Sequence, residues 1–249
     1  MAAAPHNYTD PDGPRYAGGE SSPPAPSDSL LVVSFNIKFS RFPDRAARLI
    51  ETTASLRNPD ILLLQEMDAA GTGAVADALG LSWVYYPNTI HPLAHKDFGC
   101  AIQSRHPMRD DRKILLPYEA RFRQLRRAAV AATIDAGGRS IRAYNVHLAT
   151  MIDNGPRQRR DQLRVVLGDA SAFDAVILAG DFNSPRVADV ALARGFSWPT
   201  RRIGPTNAIW AMDHVLLKGL ELVDAAAFGS VPDRLRASDH KPVWARVRV

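Results

Sequence analysis

Cysteine is almost missing from this chain: Cys100 is the only one among 249 residues. An intramolecular disulfide is therefore excluded, and so is a cysteine-rich zinc centre. Within Gly99-Cys100-Ala101-Ile102 the thiol reads as a small buried hydrophobe rather than a nucleophile. Long apolar runs are missing too. No stretch of about 18 apolar residues occurs, so no membrane-spanning helix is expected. Residues 1–29 contain no Val, Ile, Leu or Phe and are dominated by Pro, Gly, Ser, Ala and Asp. Such a segment buries too little apolar surface to offset its ordering entropy, and the expectation is a flexible tail. It also lacks the cationic start and apolar core of a secretory signal, so cytoplasmic residence is expected.

From Leu30 onward the composition is that of one soluble domain, 30–249, long enough for a sizeable core. The net charge is +5, and its arginines suit a polyanionic partner, although net charge alone identifies no site. Apolar patterning predicts strands over 31–36, 61–66, 98–104, 128–134, 140–147, 175–179, 215–217 and 243–249. A helix is expected over 43–56, with Ala46, Leu49, Ile50 and Thr53 on one face and Asn58-Pro59 as its stop. A short helix over 75–79 ends at Gly80, and Pro156 opens a third whose stripe is Leu163, Val166 and Leu167. Alternating β and α elements mixed with hairpins point to a mixed sheet, or a pair of sheets, covered by helices.

Chemistry gathers where these strands end. Asn36, Glu66, His147 and Asp181 each close an apolar run, and Asn183 follows Asp181 by two. Asp213-His214 and Ser238-Asp239-His240 each precede one. In antiparallel neighbours the end of one strand and the start of the next share an edge, so all six clusters can converge on one rim. Taken singly, Asn36 or Asp213 reads as a turn former or helix cap, and His147 as a core histidine. Unrelated turns do not account for the joint occurrence. The oxygens of Asn36, Glu66, Asp181, Asn183 and Asp239 are hard donors, which suits Mg2+ or Mn2+ rather than zinc.

The ordered set Ser34-Phe35-Asn36, Pro59-Asp60-Ile61-Leu62-Leu63-Leu64-Gln65-Glu66, Gly99-Cys100-Ala101-Ile102-Gln103-Ser104-Arg105-His106-Pro107, Asn145-Val146-His147-Leu148, Gly180-Asp181-Phe182-Asn183-Ser184, Met212-Asp213-His214-Val215 and Ser238-Asp239-His240 resembles the endonuclease/exonuclease/phosphatase superfamily. The resemblance runs from Leu30 to Val249. It implies an α/β fold, the four-layer αββα sandwich of DNase I, with the site at one end of two packed sheets. It implies Glu66 as principal metal ligand, assisted by Asn36 and Asp239, and Asp181 as the residue that orients or deprotonates the attacking water. Asn183 would hold a phosphate oxygen. His240 would contact the phosphate or act as base with Asp213 fixing its ring, and His147 would donate on the leaving-group side.

The chain is near the family's minimum size, and Asn-Val-His-Leu is similar to the DNase I, sphingomyelinase and deadenylase-like branches. Abasic-site repair of the exonuclease III kind is thereby disfavoured. Arg157, Arg159 and Arg160 open the helix after His147 and are candidate substrate contacts, beside a second group at Arg121, Arg123, Arg126 and Arg127. Arg159 and Gln162 resemble the family's common Arg-x-x-Gln pattern on the helix after the histidine strand, and read alternatively as a solvated helix face. Trp83, Tyr85, Tyr86, Trp198 and Trp210 are candidate stacking surfaces or core. The expected function is a Mg2+-dependent phosphodiesterase or nuclease acting on nucleic acid by in-line water attack. The alternative is a hydrolase of phospholipid head groups or small phosphorylated metabolites. A catalytically inactive binding module is disfavoured by the completeness of the candidate set. No obligate protein partner is evident.

Overall fold

The computed structural model describes residues 6–20 and 27–249. In chain order the strands and helices are β1 (Tyr16–Gly18), β2 (Ser29–Asn36), α1 (Pro43–Thr52), β3 (Ile61–Met67), α2 (Ala69–Leu79), β4 (Ser82–His91) and β5 (Lys96–Ser104). There follow β6 (Met108–Glu119), β7 (Arg126–Ala136), β8 (Arg139–His147), α3 (Pro156–Ala170), β9 (Val176–Asp181) and α4 (Asp189–Leu192). The chain closes with β10 (Asp213–Lys218), β11 (Glu221–Leu222), β12 (Phe228–Ser230) and β13 (Val243–Arg248). One sheet has the order β1-β4-β5-β3-β2-β13-β11, with β12 also on β13; the other runs β10-β9-β8-β7-β6. Both are mixed: β2–β3 and β8–β9 are parallel and the other pairs antiparallel.

Period-two alternation sorts the apolar side chains into layers. Val32, Ile61, Leu63, Val130, Ile141, Ile177 and Val215 fill the space between the sheets. Leu31, Val33, Leu62 and Leu64 face the other way, onto Ile50 of α1 and Val75 of α2. On the far side Tyr144, Val146 and Leu178 pack under Leu163, Val166 and Leu167 of α3. The result is the expected αββα sandwich. Two buried amides tie its sheets together next to the site. Asn145 of β8 donates to the carbonyls of Leu64 and Ala101 at 2.8 and 2.7 Å. Gln65 donates to Asn145 Oδ1 at 2.7 Å.

Four features differ from the sequence reading. The segment expected to be a flexible tail is partly built into the fold: β1 pairs with β4, Asn7 bridges to Thr89, and the buried Lys113 ammonium donates to the carbonyls of Tyr8 and Gly13. Backbone pairing holds these residues, and composition does not register it; 1–5 and 21–26 lie outside the described residues. Helix α1 stops at Thr52 rather than at 56, because Thr53 is extended and its carbonyl accepts from Leu56 and Arg57; Leu56 is buried all the same. Helix α2 begins at Ala69, where Asp68 caps it by accepting from Gly71 N–H at 2.7 Å. The apolar pattern does not predict strands β4 and β6. β6 is an edge strand whose charged start and register shifts conceal its alternation. No helix among the described residues is long and apolar enough to cross a membrane.

Candidate active site

Strand register brings the candidate residues to one rim. His147 and Asp181 are partners across the parallel β8–β9 pair, and Asp213 faces Asp181 across β9–β10. In the other sheet Asn36 lies opposite Gln65, and Val243, just beyond His240, starts opposite Ser34. Two local devices complete the set. A bulge between Gln65 and Met67 makes Glu66 the extra residue, in the left-handed region at φ 60°, so Met67 takes the place among the helix-facing apolar side chains. Gly180 (φ 146°) lies so close to β8 that a Cβ there would sit 1.9 Å from the Val146 carbonyl oxygen. Only glycine lets β9 deliver Asp181 beside His147.

Asp181 is the centre of the cluster. Its Oδ1 accepts from Asn183 N–H at 2.8 Å, and its Oδ2 accepts from the amides of Asn36 at 3.1 Å and Asn183 at 3.2 Å. The same oxygen lies 3.5 Å from His147 Nε2 and 3.8 Å from His240 Nε2. Burial lifts this carboxyl to about 7 against the pull of the His240 charge, with Asp213 and Glu66 adding to the rise. Glu66 accepts from Asn36 Nδ2 at 3.2 Å and from Phe39 N–H at 3.1 Å, and burial raises it too, against the nearby Arg127.

The two histidines are in opposite electrostatic states. Burial works against a charge on His240, but Asp213, bonded to its Nδ1 at 2.8 Å, and Asp181 together hold its proton up to about 10. His147 is driven well below the usual histidine range by burial, then by Arg127, His240 and His91, so its short approaches to Asp181 and Glu66 are not ion pairs. Arg127 Nη1 lies 3.1 Å from both ring nitrogens of His147 and donates to the unprotonated one.

Some candidates sit differently from the roles expected of them. Asn36 turns its Oδ1 to Lys38 N–H at 3.0 Å and its amide hydrogens to the two carboxylates, bridging them rather than offering an oxygen beside them. Asn183 spends its amide hydrogens on Leu148 O at 2.9 Å and on Asp181. Asp239 is half exposed and paired with Lys38 at 2.9 Å. Arg157 and Arg160 are exposed, whereas Arg159 and Gln162 are buried, so the solvated-face reading of that pair does not hold. Arg159 donates to Asn154 O at 3.2 Å and Asn183 O at 2.7 Å; Gln162 accepts from Ala149 N–H at 3.0 Å. Both fasten the loops that carry the site.

In the sequence Arg127 is one of four neighbouring arginines and does not stand out as a site residue. It is 6% exposed, and its Nε is buried with no hydrogen-bond partner among the described residues. Arg126 pairs with Glu119 near the surface, and an arginine pair heading a strand does not say which of the two turns inward. Of the candidate aromatics, Tyr85, Tyr86 and Trp198 are core, while Trp210 is half exposed.

Asp181, Asp213 and His240 present their atoms within 4.8 Å of one another. They do not form an open metal cage, since His240 Nδ1 and Asp213 are already bonded to each other. The donor set at Glu66 fits a hard divalent ion better: a buried carboxylate, a second one at Asp181, and no thiolate, since burial pushes the Cys100 thiol up to about 12. Two clefts involve the cluster's residues or their chain neighbours. One, of about 380 Å³, is lined by Glu66, Arg127, Arg123 and the ring cluster of Phe39, His91 and Phe98. The other, of about 400 Å³, adjoins Ser184. A wider groove of about 870 Å³ lies at the opposite ends of the strands, around Arg139, Trp198 and Leu220, and contains none of the candidate catalytic or metal-binding residues.

Fold and cluster define the class: a DNase I-like sandwich, the architecture of hydrolytic phosphoesterases. The chain belongs to the endonuclease/exonuclease/phosphatase family, whose sequence model matches residues 33–240. It is similar to TDP2 of D. rerio in complex with a single-stranded DNA product, at 19% identity and a TM-score of 0.69, over 90% of this chain and 100% of that one. The human Nocturnin catalytic domain with a bound sulfate anion matches at 19% identity and a TM-score of 0.69, over 94% and 97%. An endonuclease/exonuclease/phosphatase from Beutenbergia cavernae matches at 22% identity and a TM-score of 0.66, over 90% and 72%. At these identities the likeness is one of fold. No curated protein matches the sequence.

Proposed function

We propose that this chain is a Mg2+-dependent phosphodiesterase that cleaves nucleic acid by in-line attack of water. The observation that carries the reading is Asp181: a buried carboxyl lifted toward neutrality and aimed between a charged and a neutral histidine. A group poised near the working pH is what proton abstraction from water requires. His240, kept protonated by Asp213, binds a non-bridging phosphate oxygen. Neutral His147, with one nitrogen accepting from Arg127, donates its remaining N–H toward the leaving oxygen. Arg127 brings an unpaired buried charge to the same place, and Asn183 and Asn36 fix the Asp181 carboxylate. In-line displacement spreads negative charge over the equatorial oxygens, and donors fixed in advance stabilise it without a covalent intermediate. Glu66, with Asp181 as the second carboxylate beside it, would hold Mg2+ or its substitute Mn2+, which when bound neutralises charge on the phosphate; Asn36 and Asp239, engaged with their own neighbours, would not.

Nucleic acid is favoured by the arginines around both clefts, and the TDP2 relative was solved with a DNA strand. The test is a panel of DNA, RNA, bis-p-nitrophenyl phosphate and sphingomyelin, each with Mg2+ and with EDTA. Cleavage of DNA or RNA and of the small diester, abolished by EDTA, is expected. Hydrolysis of sphingomyelin alone would overturn the substrate, and full activity in chelator would overturn the metal.

A further inference from the structure

Arg126 and Arg127 open β7 side by side, yet only the second enters the site. Arg126 pairs with Glu119 near the surface, whereas Arg127 is buried beside His147. Side chains alternate along a strand, so a shift of one residue would exchange the two guanidinium groups. The ladder around Arg127 does little to prevent that shift. Leu116, Pro117 and Tyr118 of β6 lie between the residues that face Ala128 and Arg126, so Arg127 has no partner directly opposite. On the other side β8 pairs with β7 only from Val130 onward. Burial also works against the Arg127 charge, which favours turning that side chain out to water.

Two asparagines hold the strand's entry instead. Arg126 N–H donates to Asn7 Oδ1 at 2.9 Å, and Arg126 O accepts from Asn88 Nδ2 at 2.5 Å. Asn7 Nδ2 also donates to Gln124 O at 2.9 Å, so its carboxamide bonds this backbone as a neighbouring strand would. Asn88 is buried on β4. Asn7 is fixed through its own neighbours. His6 O accepts from Ile90 N–H at 2.9 Å and from Thr89 Oγ1 at 2.8 Å, and Tyr8 N–H donates to Asn88 O at 3.0 Å. The Tyr8 hydroxyl donates to Asp97 at 2.8 Å, and the Tyr8 carbonyl accepts from Lys113 at 3.2 Å. A chain of bonds thus runs from β4, β5 and β6 through Asn7 to the peptide next to Arg127.

Resting on the reading of the site as a phosphodiesterase, we propose that Asn7, together with Asn88, is a positioning residue for the reaction: it locks the register of β7 so that Arg127, and not Arg126, meets the phosphate. Asn7 touches neither the substrate nor the reacting atoms and acts through Arg127 alone. The segment ahead of β1 is then a working part of the site, reaching it from 119 residues away in the chain.

The experiment measures kcat/KM on bis-p-nitrophenyl phosphate with Mg2+, a diester with no strand to engage the surface arginines. The proteins are the wild type, Asn7→Ala, Arg127→Met and the double variant. Asn7→Ala is expected to lose on the order of 10- to 100-fold, as for a displaced active-site group, and Arg127→Met at least as much. With Arg127→Met already in place, Asn7→Ala should cost about twofold at most, because the residue it acts through is gone. Asn7→Asp still accepts from Arg126 N–H and loses only the bond to Gln124, so it should fall between the wild type and Asn7→Ala. Circular dichroism at the assay temperature reports the folded fraction; if Asn7→Ala lowers it, the same cycle is run with Asn7→Asp. Full activity in Asn7→Ala or in Arg127→Met, or an equal loss from Asn7→Ala with and without Arg127, overturns the positioning role and leaves the phosphodiesterase standing. A wild type inactive with Mg2+ on the diester and on nucleic acid overturns the functional reading and this role together.

Discussion

His240 and Asp181 lie 3.8 Å apart, and each alters the other's proton. Asp181→Asn keeps the shape but removes the basic oxygen, and its NH2 cannot accept on one of the two sides where N–H donors now meet the carboxylate. It should lower kcat on the order of 10²–10⁴-fold with KM nearly intact, as for a lost general base. Turnover close to normal would end that role for Asp181. The histidine gives a pH signature. Its folded pKa is raised, so the stability it shares with Asp213 is present below its unfolded value, roughly 6.5, and is lost as pH rises through about 10. If the charged ring holds the phosphate, the rate falls on that same alkaline side. Asp213→Asn removes the adjacent negative charge and should move the alkaline limb of kcat/KM to lower pH. A limb that stays in place would show that some other group sets it.

Among elements, the parallel pair β8–β9 bears most directly on the chemistry, because it sets His147 against Asp181. Gly180→Ala would force a methyl group onto the Val146 carbonyl and separate these strands. A loss of about 2–4 kcal/mol in urea unfolding is expected, with activity falling further than the unfolded fraction explains. A variant of unchanged midpoint and rate would mean the two strands can part without consequence. Buried elements were the legible ones: β2, β3, β8 and β9 are near-continuous apolar runs, and a polar residue at the end of such a run stands out. β4 and β6 were not legible, since their alternation is interrupted by register shifts and, in β6, by charge. Ordered motifs exposed Glu66, Asp181 and His240, but not the bulge that turns Glu66 out of line, nor the inward turn of Arg127. Both depend on contacts between distant segments that local pattern does not encode.

For the whole molecule, the site straddles the sandwich: Asn36 and Glu66 come from one sheet, His147, Asp181 and Asp213 from the other. An ion held at Glu66 binds only the assembled form, so Mg2+ should raise the melting temperature logarithmically with its concentration above Kd. Glu66→Gln should need higher Mg2+ for the same rise, read by calorimetry without substrate. A melting temperature indifferent to Mg2+ up to millimolar levels would contradict the ion's place there. The order of the strands has a further consequence for a chain emerging from the ribosome. Strand β13 follows every other strand in the chain, yet it inserts into the middle of the first sheet, between β2 and β11, with His240 just ahead of it. Until that segment clears the exit tunnel, β2 keeps an unpaired edge and the acids at the rim have no imidazolium partner from His240. On the proposed reading the growing polypeptide is chemically silent until β13 has docked, and competence then arrives in one step.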